Sequence, residues 1–280
     1  MTDKLRGRKQ HYDVILLTAA SSNHFQEAQA MLRNAHERLG PRVPNLKLVM
    51  YDLGLNTTER RLMEAHCNCT VLDFPFSDFP AHVSDLICYA WKPLMIHAHM
   101  SQAELVMWWD ASIRVDDTDR MLELLQRARR VGVQQGYHEA RFKTARFTAH
   151  EQFYYFGDEP CPYAPYLQLG GNFGIYHNEP FVREAIMAPH AACALVQGCI
   201  CPRPEWGKGC VKDHENPYGY CHRHDQSALT HILVKLYGLA YPEVLADYTR
   251  TKREKMQRRV PRLPFSVNRG DKEDYFGHVQ

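Results

Sequence analysis

The first 130 residues alternate four times between apolar segments typical of β-strands and amphipathic segments typical of helices. The predicted strands are residues 14–18, 46–51, 70–74 and 104–109. Each is followed by a segment in which apolar residues recur at helical spacing. Alternation of this kind predicts right-handed βαβ units, and therefore a mixed, mainly parallel sheet with helices on both faces. We expect an α/β fold of the Rossmann type.

The second half of the chain is less regular. Residues 131–136 and 173–176 are predicted strands, and residues 182–196 and 226–236 are predicted helices. The loops between them are rich in Pro, Gly, Tyr and Cys. We therefore expect one domain over residues 12–250 with a loop-rich, Cys-containing C-terminal half, followed by a basic C-terminal extension over residues 251–280.

Composition and charge restrict the function classes. The formal net charge is only +2, which gives no general electrostatic argument for binding nucleic acid. The basic run at residues 252–262, KREKMQRRVPR, contains no interleaved aromatic residues. No apolar run approaches the roughly 20 residues that span a bilayer. We expect no nucleic-acid partner and no transmembrane segment in this chain.

The nine cysteines suggest covalent or metal cross-linking of a loop-rich region. They lie at Cys67, Cys69, Cys88, Cys161, Cys193, Cys199, Cys201, Cys210 and Cys221. Two interpretations stay open. The C-terminal cysteines form disulfides, as expected in an oxidising compartment, or they bind zinc together with His222 or His224.

The segment LVMWWDASIRV, residues 105–115, predicts a buried strand that ends on a carboxylate. In open α/β sheets, ligands bind just beyond the carboxyl ends of the strands. Asp110 stands at that position, followed by Ser112 and Arg114. These three side chains share one face if the strand continues. An Asp at a strand end is also ordinary turn chemistry.

Four further segments carry candidate site residues. The loop after the first strand has small residues at Ala19 and Ala20 but no G-x-G-x-x-G, so a dinucleotide fingerprint is absent. Lys92 precedes Pro93, which we expect to break or kink a helix over residues 85–100. A lysine there can reach a phosphate, or lie on the surface.

The other two segments lie in the C-terminal half. Residues 169–174, LGGNFG, place three glycines where backbone can approach a ligand closely or form a tight turn. Residues 222–226, HRHDQ, gather two histidines, a carboxylate and an amide at the start of a predicted helix. Asp225 is placed to cap that helix, and the remaining polar groups exceed what capping requires.

These motifs, taken in order, resemble the GT-A type of glycosyltransferase. More narrowly, they resemble a eukaryotic group, expanded in nematodes, that was long filed as a domain of unknown function. The segments that carry the resemblance are TAASSNHF, YDLGL, FPFSDFPAHV, YAWKP, WWDASIRV, CAL, CICP and HRHDQSAL, between residues 18 and 229.

The resemblance implies a nucleotide-sugar donor, with a UDP sugar as the first choice. Residues 12–130 would then bind the donor and residues 131–250 the acceptor. The implied donor-binding residues are Thr18, Ala19, Ala20, Lys92, Arg114, Gly170, Gly171 and Asn172. Asp225 and Gln226 match a D-Q pair close to the reacting centre, and they are the implied catalytic residues.

Asp110 matches the first acid of the family's D-x-D metal motif, but Ser112 replaces the second acid. One alternative is a site for Mn²⁺ or Mg²⁺ made by Asp110, Ser112, a histidine at His222 or His224, and the donor diphosphate. The other is metal-free, with Arg114 or Lys92 neutralising the diphosphate.

We expect an enzyme that transfers a sugar from the nucleotide sugar to a hydroxyl of a glycan or protein acceptor, with inversion or retention left open. Two alternatives are a non-catalytic GT-A-like protein that binds a nucleotide sugar or glycan, and a zinc-stapled interaction module. The resemblance implies the Golgi or secretory lumen if an anchor lies outside this chain, and otherwise the cytoplasm.

Overall fold

The computed structural model describes residues 11–137, 142–202, 217–246 and 263–276. Its strands are β1 Tyr12–Ala20, β2 Leu46–Asp52, β3 Thr70–Asp73, β4 Ala103–Trp109, β5 Ile113–Val115, β6 Val133–Tyr137, β7 Leu169–His177 and β8 Phe265–Val267. Its α-helices are α1 Phe25–Arg38, α2 Thr57–His66, α3 Trp91–His99, α4 Thr118–Val131, α5 His150–Tyr155, α6 Ala188–Ala194, α7 Gln197–Ile200 and α8 His224–Tyr237. A π-helix at Val182–Met187 leads into α6.

Six strands form one mixed sheet in the order β3-β2-β1-β4-β7-β6. The pairs among β3, β2, β1 and β4 are parallel, whereas β7 pairs antiparallel with both β4 and β6. The reversal in order after β1 places β2 and β4 on either side of it, which opens a crevice at the carboxyl ends of the strands. The predicted α/β class, with a mainly parallel sheet, is confirmed.

Apolar residues of the central strands alternate between two cores. On β1, Ile15 and Leu17 belong to the core that also contains Leu229 of α8, while Val14 and Leu16 face the core on the other side. Successive side chains on a strand point to opposite faces. A strand covered on both sides must therefore be apolar throughout, which explains the unbroken hydrophobic run in β1.

Helix α3 begins later than the sequence predicts. The expected helix over residues 85–100 is divided: a short 3₁₀ turn covers Leu86–Cys88, and α3 starts at Trp91. Pro93 therefore lies in the first turn of α3, where its missing N–H group would have had no partner within the helix. The predicted interruption near Trp91 is present, and Pro93 lies just after it, inside α3.

The strand that precedes the crevice, β4, ends in a turn. The N–H group of Asp110 donates to the carbonyl of Asn172 at 2.9 Å, and the N–H group of Ile113 donates to the carbonyl of Asp110 at 3.0 Å. The chain then enters β5, which belongs to a separate two-stranded sheet. The turn interrupts the alternation that would have placed Asp110, Ser112 and Arg114 on one face.

Part of the predicted C-terminal extension packs on the domain. Strand β8 pairs with β5 in antiparallel register, Ile113 opposite Val267. Further along, Phe276 is buried in the core beneath α1. The basic run at residues 252–262 lies outside the described residues.

Disulfides cross-link the chain. Cys67 bonds to Cys69, Cys88 to Cys201, and Cys193 to Cys199. Cys221 is disulfide-bonded as well, Cys161 is free, and Cys210 lies outside the described residues. Thiols held in disulfides are not available as thiolate ligands, so the zinc cluster with Cys199 and Cys201 was a wrong prediction. Among the described residues, no helix is both long and apolar enough to cross a membrane.

Candidate functional site

A cleft of about 520 Å³ opens at the carboxyl ends of β1 and β4. Most of the residues selected from the sequence line it: Ala19, Ala20, Lys92, Asp110, Ser112, Gly171, Asn172, His222, His224, Asp225 and Gln226. They come from five separate segments of the chain. The parallel strands and the start of α8 bring them to one edge of the sheet, as the crossover topology requires.

Lys92 lies at the floor of the cleft and is only 5% exposed. Its Nζ atom is 3.4 Å from Asp110 Oδ1, 3.2 Å from Asp225 Oδ2, and donates to the carbonyl of Gly171 at 2.9 Å. The ring of Trp108 lies 5.1 Å from the ammonium. Burial alone would lower the pKa of Lys92. The two carboxylates raise it by more than burial lowers it, so the pKa lies above its ordinary value. Lys92 is a fixed internal cation.

Asp225 lies in the first turn of α8 and is 6% exposed. Burial raises the pKa of its carboxyl group, the Lys92 ammonium opposes that rise, and the Asp110 carboxylate adds to it. The predicted helix cap does not form. The helix begins at His224, so Asp225 already lies inside it, with its carboxylate turned to Lys92.

Gln226 follows Asp225 in the cleft lining. Its side-chain Nε2 atom is buried and has no hydrogen-bond partner among the described residues. A buried amide group without a partner costs free energy, and a ligand that accepts a hydrogen bond there would recover it. This amide is therefore available to a bound molecule.

Asp110 is 31% exposed at its side chain and already has two contacts. Its Oδ1 atom accepts a hydrogen bond from Trp108 Nε1 at 2.9 Å, in addition to the Lys92 contact. Ser112, in the position of the second acid, is almost fully buried. The resulting motif offers one carboxylate, whose charge is largely balanced by an ammonium.

The two histidines of the predicted metal site differ in their partners. The N–H group of Ala149 donates to His222 Nδ1 at 3.2 Å, and His222 Nε2 donates to the carbonyl of Ile200 at 3.0 Å. Burial, with a smaller contribution from His224, lowers the pKa of His222 to about 3. Both ring nitrogens of His222 are used within the fold, so the structure contradicts its predicted role as a metal ligand.

His224 is buried and lines the cleft, and neither ring nitrogen makes a hydrogen bond of normal geometry with a described residue. Burial lowers its pKa, while the nearby carbonyl of Ile200 acts weakly in the opposite direction. Across the described ranges, no three His, Cys, Asp or Glu side chains come together as a metal site. Asp110 is thus the one carboxylate that the D-x-D position offers to a cation, and it already contacts Lys92.

Three predicted donor-binding residues do not line the cleft: Thr18, Gly170 and Arg114. Thr18 is buried in β1. The guanidinium of Arg114 donates to the carbonyls of Ala111 and Glu27 and pairs with Asp271 at 3.1 Å. It holds the C-terminal segment against α1, because the turn after β4 directs it away from the cleft. The structure thus contradicts its predicted place at the donor phosphates.

Sequence reasoning did not select several residues of the cleft. Arg223 and Arg269 both line it, and Tyr89 stands at its rim, 42% exposed. Tyr89 and His224 have positive φ angles of 50° and 49°, and their rings lie 6.2 Å apart. Non-glycine residues in this conformation cost about 1–3 kcal/mol each and cluster at functional sites. Arg223 lies within the polar segment HRHDQ, which could have pointed to it. No pattern in the sequence linked Arg269 to the cleft.

Comparison with known proteins identifies what the chain is similar to. A family model described as a protein of unknown function, DUF1647, matches residues 2–97. No curated protein matches the chain. Among solved structures, the galactosyltransferase LgtC, in complex with donor and acceptor sugar analogues, is similar with a TM-score of 0.50 and 12% identity. The match covers 91% of this chain and 87% of LgtC.

Two other glycosyltransferase structures are more distant. Mouse xyloside xylosyltransferase 1 gives a TM-score of 0.42 at 12% identity, covering 84% of each chain. The bifunctional glycosyltransferase WbbM gives 0.46 at 12% identity, covering 79% of this chain; the chain spans only 37% of WbbM. At such identities the likeness concerns the fold. The chain has the Rossmann-like GT-A fold seen in LgtC, and the resemblance predicted from its motifs is confirmed at that level.

Proposed function

We propose that this chain is a glycosyltransferase that binds a nucleotide-sugar donor in the cleft and transfers the sugar to an acceptor hydroxyl. A UDP sugar is our first choice of donor, and a glycan or protein is the acceptor class. The observation that carries the proposal is the buried contact between Lys92 and Asp225, with Asp110 beside them, at the carboxyl edge of a GT-A sheet. Ligands of such sheets bind at this edge.

The loop between β1 and α1 is our proposed position for the nucleoside of the donor. Ala19 and Ala20 leave room for a planar base, and Ser21 and Asn23 add polar groups to the same wall. Gly171 lies opposite, where a Cβ atom would approach Gln226 Oε1 to 3.4 Å and Asp225 Oδ2 to 3.5 Å. A side chain larger than that of glycine would crowd Asp225 and Gln226 there, so Gly171 keeps both groups accessible to a sugar bound in the cleft.

The proposed reaction forms a bond between the acceptor oxygen and the anomeric carbon and breaks the bond from that carbon to the diphosphate. The bonding electron pair leaves with the nucleoside diphosphate. In an inverting reaction Asp225 takes the acceptor proton, and burial, which raises its pKa, makes it a better base. In a retaining reaction its carboxylate stabilises the positive charge that develops on the sugar. No step passes through a metal ion.

A non-catalytic protein that binds nucleotide sugars is the second candidate. It is favoured by Ser112 in the position of the second acid and by the Lys92 ammonium that already balances Asp110. The same cleft would then hold the donor without transferring it. Donor turnover separates the two candidates, whereas donor binding does not.

We also propose an oxidising compartment for the protein. Three disulfides are formed between described cysteines, and disulfides persist in the secretory pathway and outside the cell. The Golgi or secretory lumen satisfies this requirement, and the cytoplasm does not.

Thermal-shift measurements with UDP, GDP, CDP and ADP test donor binding. A ligand at 100 times its Kd stabilises a protein by about 2.7 kcal/mol, so one diphosphate should raise the Tm by several degrees. The same Tm shift is measured in Asp110→Asn, which changes the cleft. The matched control is Asp119→Asn, which changes an exposed acid on α4. If none of the four raises the Tm, with or without Mn²⁺, the cleft is not a donor site.

A further inference from the structure

We propose that Arg223 and Arg269 form a binding site for the donor diphosphate and that this site holds the diphosphate without a divalent metal ion. The inference rests on the proposed function and adds to it the charged groups that recognise the donor. Its basis is the position of the positive charges in the cleft and the carboxylates that already neutralise some of them.

The floor of the cleft has no surplus positive charge. Lys92 faces Asp110 and Asp225, so this cluster has two carboxylates and one ammonium. Glu27, another acid of the lining, accepts hydrogen bonds from His24 Nδ1–H at 3.0 Å and from the N–H group of Gly270 at 2.5 Å. None of these groups offers a surplus positive charge to a bound diphosphate.

Arg223 and Arg269 supply that charge. Neither is paired with a carboxylate among the residues that the structure describes, and both line the cleft. The Nε atom of Arg223 is buried without a hydrogen-bond partner, while the guanidinium lies 5.2 Å above the ring of Phe142. An arginine fixed on one side by a ring and unsatisfied on the other is prepared to bind an anion.

The fold brings Arg269 to the cleft through β8. After β8, the N–H group of Asn268 donates to the carbonyl of Ser112 at 2.7 Å, which sets the next residue beside the end of β4. Arg269 itself is exposed. Burial lowers the pKa of Arg223, the nearby Asp225 and Tyr89 raise it, and the charge of Arg269 lowers it again. The repulsion between the two guanidinium groups costs free energy that a bound diphosphate would recover.

The two arginines also account for a site in which Ser112 stands in the position of the second acid. A divalent ion in a cleft of this kind would bring positive charge to the diphosphate, held by one or two protein carboxylates together with phosphate oxygens and waters. Here Asp110 is shared with Lys92, and Ser112 has no charge. Planar guanidinium groups bind phosphate oxygens in pairs, so two arginines supply the charge directly.

Isothermal titration calorimetry in EDTA tests the inference, with UDP, uridine and inorganic pyrophosphate as ligands. The variants are Arg223→Gln, Arg269→Gln and the double variant, with Arg61→Gln, an exposed arginine of α2, as the matched control. Circular dichroism checks folding. Because Arg269 is exposed, its substitution leaves the fold intact even if Arg223→Gln does not, and Arg223→Lys retains the charge.

We expect UDP to bind in EDTA with a Kd within about 3-fold of its value in Mn²⁺. Each single substitution should weaken UDP binding by about 10-fold, since charge-assisted hydrogen bonds to phosphate are lost. Uridine binding should not change in any variant, and Arg61→Gln should behave as the wild type. Pyrophosphate binding should weaken along with that of UDP.

The outcomes separate the inference from the proposed function. UDP binding that requires Mn²⁺, or that both arginine variants retain in full, overturns the inference and leaves the glycosyltransferase proposal standing. If none of UDP, GDP, CDP and ADP binds in any condition, both are overturned. Weakening of UDP binding in EDTA by Arg269→Gln, with uridine unaffected, supports both.

Discussion

The ammonium of Lys92 lies 3.2 Å from the carboxylate of Asp225, and both groups are almost fully removed from solvent. One comes from the first turn of α3 and the other from the first turn of α8, so the pair joins the two halves of the chain at the cleft. A buried charge without its partner is far more costly than the pair. The contact therefore contributes to the fold as well as to the site.

Removing the lysine should destabilise the protein. Lys92→Met leaves Asp225 buried beside Asp110 with no cation, and we expect the free energy of unfolding to fall by about 3–5 kcal/mol. Adding Asp225→Asn to Lys92→Met removes the orphaned charge and should restore a large part of the loss. Urea denaturation of the two single variants and the double variant measures this coupling. Strictly additive effects would show that the two groups do not interact.

The buried histidines should make stability dependent on pH. Burial lowers the pKa of His99 and of His190 to about 4, from an ordinary value near 6.5. A group with a lowered pKa in the folded state stabilises the fold above pH 6.5, and that stability is lost as the pH falls toward 4. We expect the free energy of unfolding to decline through this interval.

The variant His190→Gln isolates one of these groups. His190 Nε2 donates to the carbonyl of Asp225 at 3.0 Å, and glutamine retains a donor but does not titrate. Urea denaturation at pH 7, 6, 5 and 4 should show a shallower pH dependence for the variant than for the wild type. Identical slopes would mean that His190 does not resist protonation in the folded protein.

The disulfide between Cys88 and Cys201 should stabilise the cleft. It joins residues separated by 113 positions and anchors the segment that leads to Tyr89 and Lys92. Cross-links that close long loops stabilise by about 2–5 kcal/mol. Replacing both cysteines with serine should lower the Tm markedly, and Cys161→Ser, which removes an exposed free thiol, is the control. A Tm equal to that of the control would contradict the prediction.

The sequence was sufficient to predict the fold and the region of the site. Alternating strands and helices specify a parallel sheet, and the carboxyl ends of parallel strands necessarily meet at one edge. Topology placed Asp110 at that edge, at the end of β4. The resemblance to GT-A glycosyltransferases, and not topology alone, implied that Lys92 and Asp225 belong to the same site although they are far apart in the chain.

Other parts of the site depend on contacts that local patterns do not specify. Arg114 turns away from the cleft because a turn at residues 110–113 breaks strand alternation. Arg269 reaches the cleft because β8 pairs with β5, across more than 150 positions of sequence. Both ring nitrogens of His222 are occupied by backbone groups, one at the start of α5 and one at the end of α7. Long-range strand pairing and backbone hydrogen bonding determine the positions of all three side chains.

Release of the nucleoside diphosphate from nucleotide sugars tests the central claim most directly. We would incubate the protein with a panel of UDP, GDP, CDP and ADP sugars and a mixture of glycan acceptors, and quantify the released nucleotide and the glycosylated product by mass spectrometry. We predict release from at least one donor by the wild type and a decrease of about 10²- to 10⁴-fold in Asp225→Asn. The exposed Asp119→Asn should retain the full rate. A donor that binds but is never consumed, or an equal rate in Asp225→Asn, would contradict the proposal that this cleft catalyses glycosyl transfer through Asp225.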